Sequence, residues 1–446
     1  MSTAIDLRGK NPGLPADRVH DVLGASILAD GFDLVLDLDE SRGSWLVDLR
    51  DGSRYLDMFS FFASSALGMN HPDLTEERFL AELAAVAVNK PSNSDVYSVP
   101  MAQFVETFVR VLGDPRLPHL FFVEGGGLAV ENALKAAFDW KSRLEENRGH
   151  GPACGTRVLH LTEAFHGRTG YTMSLTNTEP IKTDRFPKFD WPRIPAPYLA
   201  DGRDVAADER HALARAAAAF EEFPRDIACF LAEPIQGEGG DHHFRPEFLQ
   251  QMQRLCHEHD ALFVLDEVQT GCGLTGSTWA YRQLGLEPDI VAFGKKTQVC
   301  GIMAGGRLDE VADNVFTVSS RLNSTWGGNL TDMVRARRVL EVIERDGLVD
   351  RAARLGRHLL GGLEELAARH PEVTEPRGRG LMCAFTLPST RRRDEVVTTL
   401  REREHVLILP TGKRAIRFRP PLTVSTGELD AALDAVSRVL RGTVQV

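Results

Sequence analysis

Cysteine is sparse in this chain. Its six residues, Cys154, Cys229, Cys256, Cys272, Cys300 and Cys383, are scattered over 446 positions. They are too few and too far apart for a disulfide framework. None forms a C-x-x-C pair, which argues against a zinc site. Long apolar runs are missing as well, and none approaches the ~20 residues that a membrane-spanning helix needs. Met1 to Gly13 is polar and lacks the apolar segment of a signal peptide, so a cytoplasmic protein is expected. Blocks of like charge are also absent. Lys+Arg total 52 against 63 Asp+Glu, a net charge of −11, with the two signs interspersed. That pattern argues against a nucleic-acid partner and against a charged tail. No internal repeat or low-complexity segment is evident.

What is present is the composition of a globular protein, 43% apolar and 26% charged. The length exceeds the usual limit of one hydrophobic core, so a large and a smaller domain are expected. From about residue 75 to 330, short apolar strands alternate with helical stretches, the pattern of a parallel-rich sheet with helices on both faces. Residues 1 to about 18 read as a mobile arm. Leu34 to Leu38 and Ser44 to Asp48 alternate like strands about a turn at Arg42-Gly43. Val315 to Ser320, Arg379 to Thr386 and Val406 to Leu409 also read as strands. Ser425-Thr-Gly-Glu428 has the form of a capping box opening a last helix.

The stretch that organises the rest is Ile290 to Phe293 followed by Gly294-Lys295-Lys296. A lysine just past a buried strand lies at the carboxyl edge of a parallel sheet, where open α/β folds place ligands. The pair also suits ordinary solvated loop lysines. Asp266 ends another apolar run, Leu262 to Asp266, twenty-nine residues upstream. Leu120-Phe-Phe-Val123 runs into Glu124-Gly-Gly-Gly127 and then a long helical pattern. Strand, glycine turn and helix start make a phosphate cradle, although many such turns are only tight connections.

Phe263-Val-Leu-Asp-Glu-Val-Gln-Thr-Gly271, with Phe293-Gly-Lys-Lys296, resembles the class III (ω-)aminotransferases. Phe59 to Ser64, Asn89 to Asn93, Tyr171 to Asn177, Phe186 to Phe189 and Ser324 to Asn329 add to the likeness, which runs from about Val19 to Arg441. Within the family the chain is most similar to the bacterial branch acting on the ε-amine of L-lysine. The resemblance implies an α/β fold, the fold type I architecture of pyridoxal-phosphate enzymes. Its large domain would span residues 76–330, and its smaller α+β domain would combine 1–75 with 331–446. It implies pyridoxal 5'-phosphate as cofactor and a homodimer with shared sites. It further implies transfer of lysine's ε-amino group to 2-oxoglutarate, with no nucleic-acid or membrane partner.

Residue by residue, the likeness makes Lys295 the bond to the cofactor's aldehyde and Asp266 the partner of its ring nitrogen. Gly126 and Gly127 would hold its phosphate, with Leu128 standing where the family usually has glutamate. Phe165 would lie against the ring, Gln269 would bond its hydroxyl, and Thr325 would reach the phosphate of the neighbouring subunit. Arg168 would grip the substrate carboxylate bidentately. Glu238 and Arg417 would form a switch between the two substrates, with Arg419 a structural neighbour. Other donors (ornithine, 4-aminobutyrate, diaminobutyrate, acetylornithine) share these anchors. A cofactor-binding regulator without enzymatic activity is disfavoured, because residues 1–75 contain no basic recognition helix.

Overall fold

The computed structural model describes residues 14–442, so most of the arm expected over 1–18 lies outside the described residues. At its centre is a seven-stranded sheet. The strand order is His119–Val123, Cys300–Ala304, Ile290–Phe293, Leu262–Asp266, Ile227–Ala232, Arg157–Leu161 and Arg193–Ile194. Cys300–Ala304 runs antiparallel to both its neighbours, and every other pairing is parallel.

The apolar runs explain these strands. Every residue of Ile227–Ala232, Leu262–Asp266 and Ile290–Phe293 is buried, as a sheet covered on both faces requires. Side chains alternate between two cores. Leu262 and Val264 pack with Val130, Ala133 and Leu134 of the helix Gly126–Asn147. Phe263 and Leu265 join the larger cluster containing Phe248, Leu249 and Met252 of the helix Pro246–Glu258.

Two smaller sheets flank this layer. Trp45–Val47 pairs antiparallel with Arg54–Asp57, which pairs in parallel with Val406–Leu407, so the two ends of the chain share a sheet. Thr374–Arg379, Met382–Thr386, Ala415–Phe418 and Leu409–Thr411 form an antiparallel sheet of four. The final helix, Thr426–Gly442, opens with the capping box. Ser425 N donates to Glu428 Oε2 at 2.7 Å, and Glu428 N donates to Ser425 Oγ at 3.2 Å.

Expectations about strands are modified at four places. The chain does turn at Arg42-Gly43, where Arg42 and Trp45 exchange two backbone hydrogen bonds, but the hairpin of Trp45–Val47 with Arg54–Asp57 turns at Asp51-Gly52, where Ser53 N bonds Asp51 Oδ1 and Gly52 takes a left-handed φ of 78°. Leu34 to Leu38 contributes one isolated bridge, Leu36 to Asp48. Val315 to Ser320 forms turns, since Asn314 binds Phe316 N through its side chain and Thr317 N and Val318 N through its carbonyl. The run Arg379 to Thr386 is split by Gly380, at φ 53°, into the ends of two antiparallel strands. Among the described residues, no helix is long and apolar enough to cross a membrane, and no group of His, Cys, Asp and Glu could hold a metal.

Candidate active site

The register of two strands sets the site. Ala292 pairs in parallel with Asp266, so Lys295, three residues on, leaves the sheet beside the aspartate. Lys295 opens a short 3-10 turn, Lys295–Thr297, with a left-handed φ of 52°. The two residues face one cavity of about 270 Å³, lined also by Gly126, Gly127, Phe165, His166, Glu233, Gln269 and Cys300. Burial pulls the Lys295 amine below the ordinary lysine value, against the pull of Asp266 and Glu238 in the other direction.

One end of the cavity is built for an anion. The 22-residue helix Gly126–Asn147 begins there, with Gly125 as its N-cap and no side-chain cap. The first N–H groups of a helix have no intrahelical partner and carry its positive end. Glycine is needed for the approach: a Cβ at Gly126 would lie 2.9 Å from Val268 Cγ1.

The other end holds carboxylates. Asp266 Oδ2 lies 2.8 Å from His166 Nδ1, and Asp266 Oδ1 accepts from Val268 N at 3.0 Å. Glu233 accepts from Phe165 N at 3.0 Å and Gly237 N at 2.9 Å, and burial pushes its carboxyl up to about 7. Gln269 is fixed by Arg419, whose Nε and Nη2 both donate to its Oε1 at 3.0 and 2.9 Å. Arg419 itself forms a bidentate pair with Asp241, both buried, which makes it structural.

Glu238 and Arg417 meet beside this cavity. Arg417 Nη2 forms an ion pair with Glu238 Oε1 at 2.6 Å, with the Arg417 side chain 3% exposed and Glu238 21%, and Arg417 Nη1 donates to Gly237 O at 3.3 Å. Burial alone would raise the Glu238 carboxyl; Arg417, then Lys182 and Lys295, outweigh it and hold it below the usual range. Arg417 Nε is buried without a partner.

Like Glu238 and Arg417, two further expected site residues are not part of the cavity wall. Arg168 follows the wall residues Phe165 to Gly167, is exposed, and has no ion-pair partner among the described residues. Thr325 is exposed in the loop before Trp326, whose ring lies 3.8 Å below Lys90 Nζ.

Residues that sequence reasoning passed over also matter. His166 and Glu233 sit in the runs Phe165-His-Gly and Ala232-Glu-Pro, where they read as ordinary neighbours. Lys296 is no loop lysine: it is buried and donates from Nζ to Ala63 O at 2.7 Å. That carbonyl closes a turn in which Ser60, Phe61, Phe62 and Ala63 all have left-handed φ, from 40° to 66°. For non-glycine residues such a run costs roughly 1–2 kcal/mol each, so it must be held from outside. Asp57 Oδ1 accepts from Phe59 N and Ser60 N, Ser60 Oγ donates to Arg419 O, and Gln298 Nε2 donates to Ser64 O.

The cavity therefore fits pyridoxal phosphate by its donors: a helix start for the phosphate, Asp266 for a protonated ring nitrogen, and a primary amine for the aldehyde. A family model, aminotransferase class-III, matches residues 28–440. The chain is 68% identical over 429 residues to the L-lysine-epsilon aminotransferase of Mycobacterium tuberculosis, covering 95% of each chain. It is 62% identical over 438 residues to that of Amycolatopsis lactamdurans, covering 96% of each. A solved lysine aminotransferase of Mycobacterium tuberculosis superposes with TM-score 0.95 at 67% identity, covering 96% of this chain and 100% of that one. The chain belongs to the class III aminotransferases and is a pyridoxal-phosphate-dependent transaminase.

Proposed function

We propose that this enzyme transfers the ε-amino group of L-lysine to 2-oxoglutarate. The products are L-glutamate and 2-aminoadipate 6-semialdehyde, which can cyclise to a piperideine carboxylate. The observation that carries this reading is the Glu238–Arg417 pair beside Lys295. An ω-amine donor needs one carboxylate anchor, whereas 2-oxoglutarate needs two. A second arginine masked by a carboxylate meets both needs. The relatives named for lysine support this donor over ornithine or 4-aminobutyrate.

When bound, pyridoxal phosphate supplies an aldehyde to which amines add and a ring that accepts the electron pair of a neighbouring C–H bond. Gly126 and Gly127 would hold the phosphate through their backbone, helped by Thr325 of the partner subunit. Phe165 would pack on the ring, Gln269 would bond its hydroxyl, and Asp266 would keep a proton on its nitrogen. Lys295 presents the amine for the aldehyde and afterwards carries the proton away from the Cε of lysine. Its lowered pKa favours the neutral amine that both tasks require. Arg168, free of other partners, takes lysine's α-carboxylate at the far end, which leaves the ε-amine to reach Lys295. With 2-oxoglutarate, Arg168 takes the distal carboxylate, and Arg417, released by Glu238, takes the α-carboxylate.

The working unit in this reading is a homodimer in the cytoplasm, with a large domain of residues 76–330 and a smaller one of 1–75 and 331–446. All six cysteines are unbridged, as a reducing compartment favours. Two lysine samples, ¹⁵N-labelled at Nε or at Nα, test the reaction with 2-oxoglutarate. Label should reach glutamate from Nε alone. Label from Nα, or faster turnover with 4-aminobutyrate or ornithine, would overturn the assignment. Borohydride reduction should fix a pyridoxyl group on Lys295 and none on Lys296.

A further inference from the structure

We propose that Lys182 is the second resting place of the Glu238 carboxylate, a positioning residue that receives Glu238 when a dicarboxylic keto acid claims Arg417. This rests on the reading of Glu238 as the mask of Arg417. Lys182 ends the short 3-10 turn Pro180–Lys182, in a segment rich in Pro, Lys and Asp that composition alone marks as loop. Its amine nevertheless turns inward, with the side chain 19% exposed. Nζ lies 5.3 Å from the Phe165 ring centroid and 3.5 Å from Glu238 Oε2. Glu238 therefore stands between two cations, one on each oxygen.

The distances differ in a telling way. Arg417 Nη2 is bonded at 2.6 Å, while Lys182 at 3.5 Å is beyond the roughly 2.7–2.9 Å of a charged hydrogen bond. Glu238 rests on Arg417 with Lys182 in reach. The other carboxylate near Lys182, Glu179 Oε1 at 3.6 Å, is half exposed and competes weakly. Lys295, the other amine near Glu238, is committed to the cofactor's aldehyde.

Charge accounting shows what Lys182 adds. At rest, Arg417, Glu238 and Lys182 sum to one positive charge. A substrate carboxylate on Arg417 makes two complete pairs, ligand with Arg417 and Glu238 with Lys182. Without Lys182, the displaced Glu238 would be a largely buried anion lacking a counter-charge, a costly state. Dicarboxylate binding would then be penalised. A ligand with one carboxylate leaves Glu238 on Arg417 and would be unaffected.

The test uses the holoenzyme and two unreactive ligands, glutarate with two carboxylates and butyrate with one, each titrated by calorimetry. Lys182→Met should weaken glutarate about tenfold relative to butyrate, a difference of ~1.4 kcal/mol. Lys182→Arg should restore the ratio, which a loss of folding would not allow. In a Glu238→Gln background, Lys182→Met should no longer move the ratio, because its effect passes through Glu238. An unchanged ratio in Lys182→Met, or equal weakening of both ligands, would overturn the proposal. The two readings separate cleanly. If Glu238→Gln alone leaves the ratio at its wild-type value, the mask itself fails and Lys182 with it. If Glu238→Gln moves the ratio and Lys182→Met does not, only the role of Lys182 fails.

Discussion

His166 Nδ1 lies 2.8 Å from Asp266 Oδ2, and the side chains are 0% and 6% exposed. With Val268 N on the other oxygen, both oxygens of the Asp266 carboxylate are engaged and its plane is fixed. With Asp266 as the proposed partner of the ring nitrogen, His166 would act on the cofactor through it. A hydrogen bond to a charged group contributes about 1.5–3 kcal/mol. His166→Phe, which keeps a ring of similar size, should therefore lower affinity for pyridoxal phosphate by roughly ten- to a hundredfold. Titration of the apoenzyme with cofactor, followed by fluorescence, gives the number. Wild-type affinity in the variant would remove His166 from the cofactor's support.

Lys296 makes a prediction about pH. Burial lowers its pKa from the ordinary 10.5 to about 7. Between those values the unfolded chain binds more protons than the folded one, so stability rises with pH through this group. The penalty is greatest below pH 7 and fades as pH approaches 10.5. Lys296→Met removes it, together with a pH-independent hydrogen bond to Ala63 O. The stability of the variant relative to wild type should be highest at pH 6 and fall by about 2–3 kcal/mol by pH 9. Buried Asp57, pushed up to about 6, is present in both proteins, and the Lys296 charge is the weakest of the four causes acting on its carboxyl, so its share of the difference is small. Urea unfolding at the two pH values measures the change, and a pH-independent difference would show that Lys296 does not titrate near 7.

These two cases mark what could be read from the sequence. Leu262–Asp266 and Ile290–Phe293 are apolar runs of strand length, so the neighbouring placement of Asp266 and Lys295 follows from local pattern. The glycine turn that opens the helix Gly126–Asn147 was legible for the same reason, as strand, glycines and helix follow one another directly. Lys296 was not. Its partner Ala63 is 233 residues away, and nothing near either residue announces the contact. The left-handed turn at Ser60 to Ala63 is hidden because Phe and Ala are poor hosts for that conformation. It is held by Asp57 just before it and by Lys296, Gln298 and Arg419 from two other parts of the chain. Val315 to Ser320 failed in the opposite direction, where β-branched composition lost to the bonds made by Asn314.

The exposed Thr325 yields a test of shared sites. If it serves the partner's phosphate, Lys295→Ala and Thr325→Ala damage opposite halves of a dimer. A hybrid of the two variants then has one site carrying both lesions and one carrying neither. Co-refolding equal amounts should restore about a quarter of wild-type sites, since half the dimers are hybrid. The Lys295→Ala parent should be inactive and the Thr325→Ala parent should bind the cofactor weakly. No gain on mixing, or a fully active monomer in sedimentation, would place Thr325 outside the partner's site.

In the proposed reading, Glu238 decides which substrate the empty site prefers. In the resting structure its carboxylate occupies Arg417 Nη2, on a side chain that is 3% exposed and whose Nε has no partner. A buried arginine stripped of its only carboxylate costs roughly 3–5 kcal/mol. Glu238→Gln leaves Arg417 in that state, and a substrate α-carboxylate recovers part of the loss. Glutamate can supply one at that position, whereas lysine, held by Arg168 with its ε-amine inward, cannot. The variant should therefore gain with glutamate as amino donor and lose with lysine. Single-turnover absorbance changes of the cofactor, recorded with each donor, give the two rates. Their ratio is the quantity to follow, because a general loss of stability would lower both. A shift of about 1.4 kcal/mol between donors changes the ratio tenfold. A ratio unchanged from wild type would make Glu238 a static neighbour of Arg417 and leave the exchange of substrates to some other group.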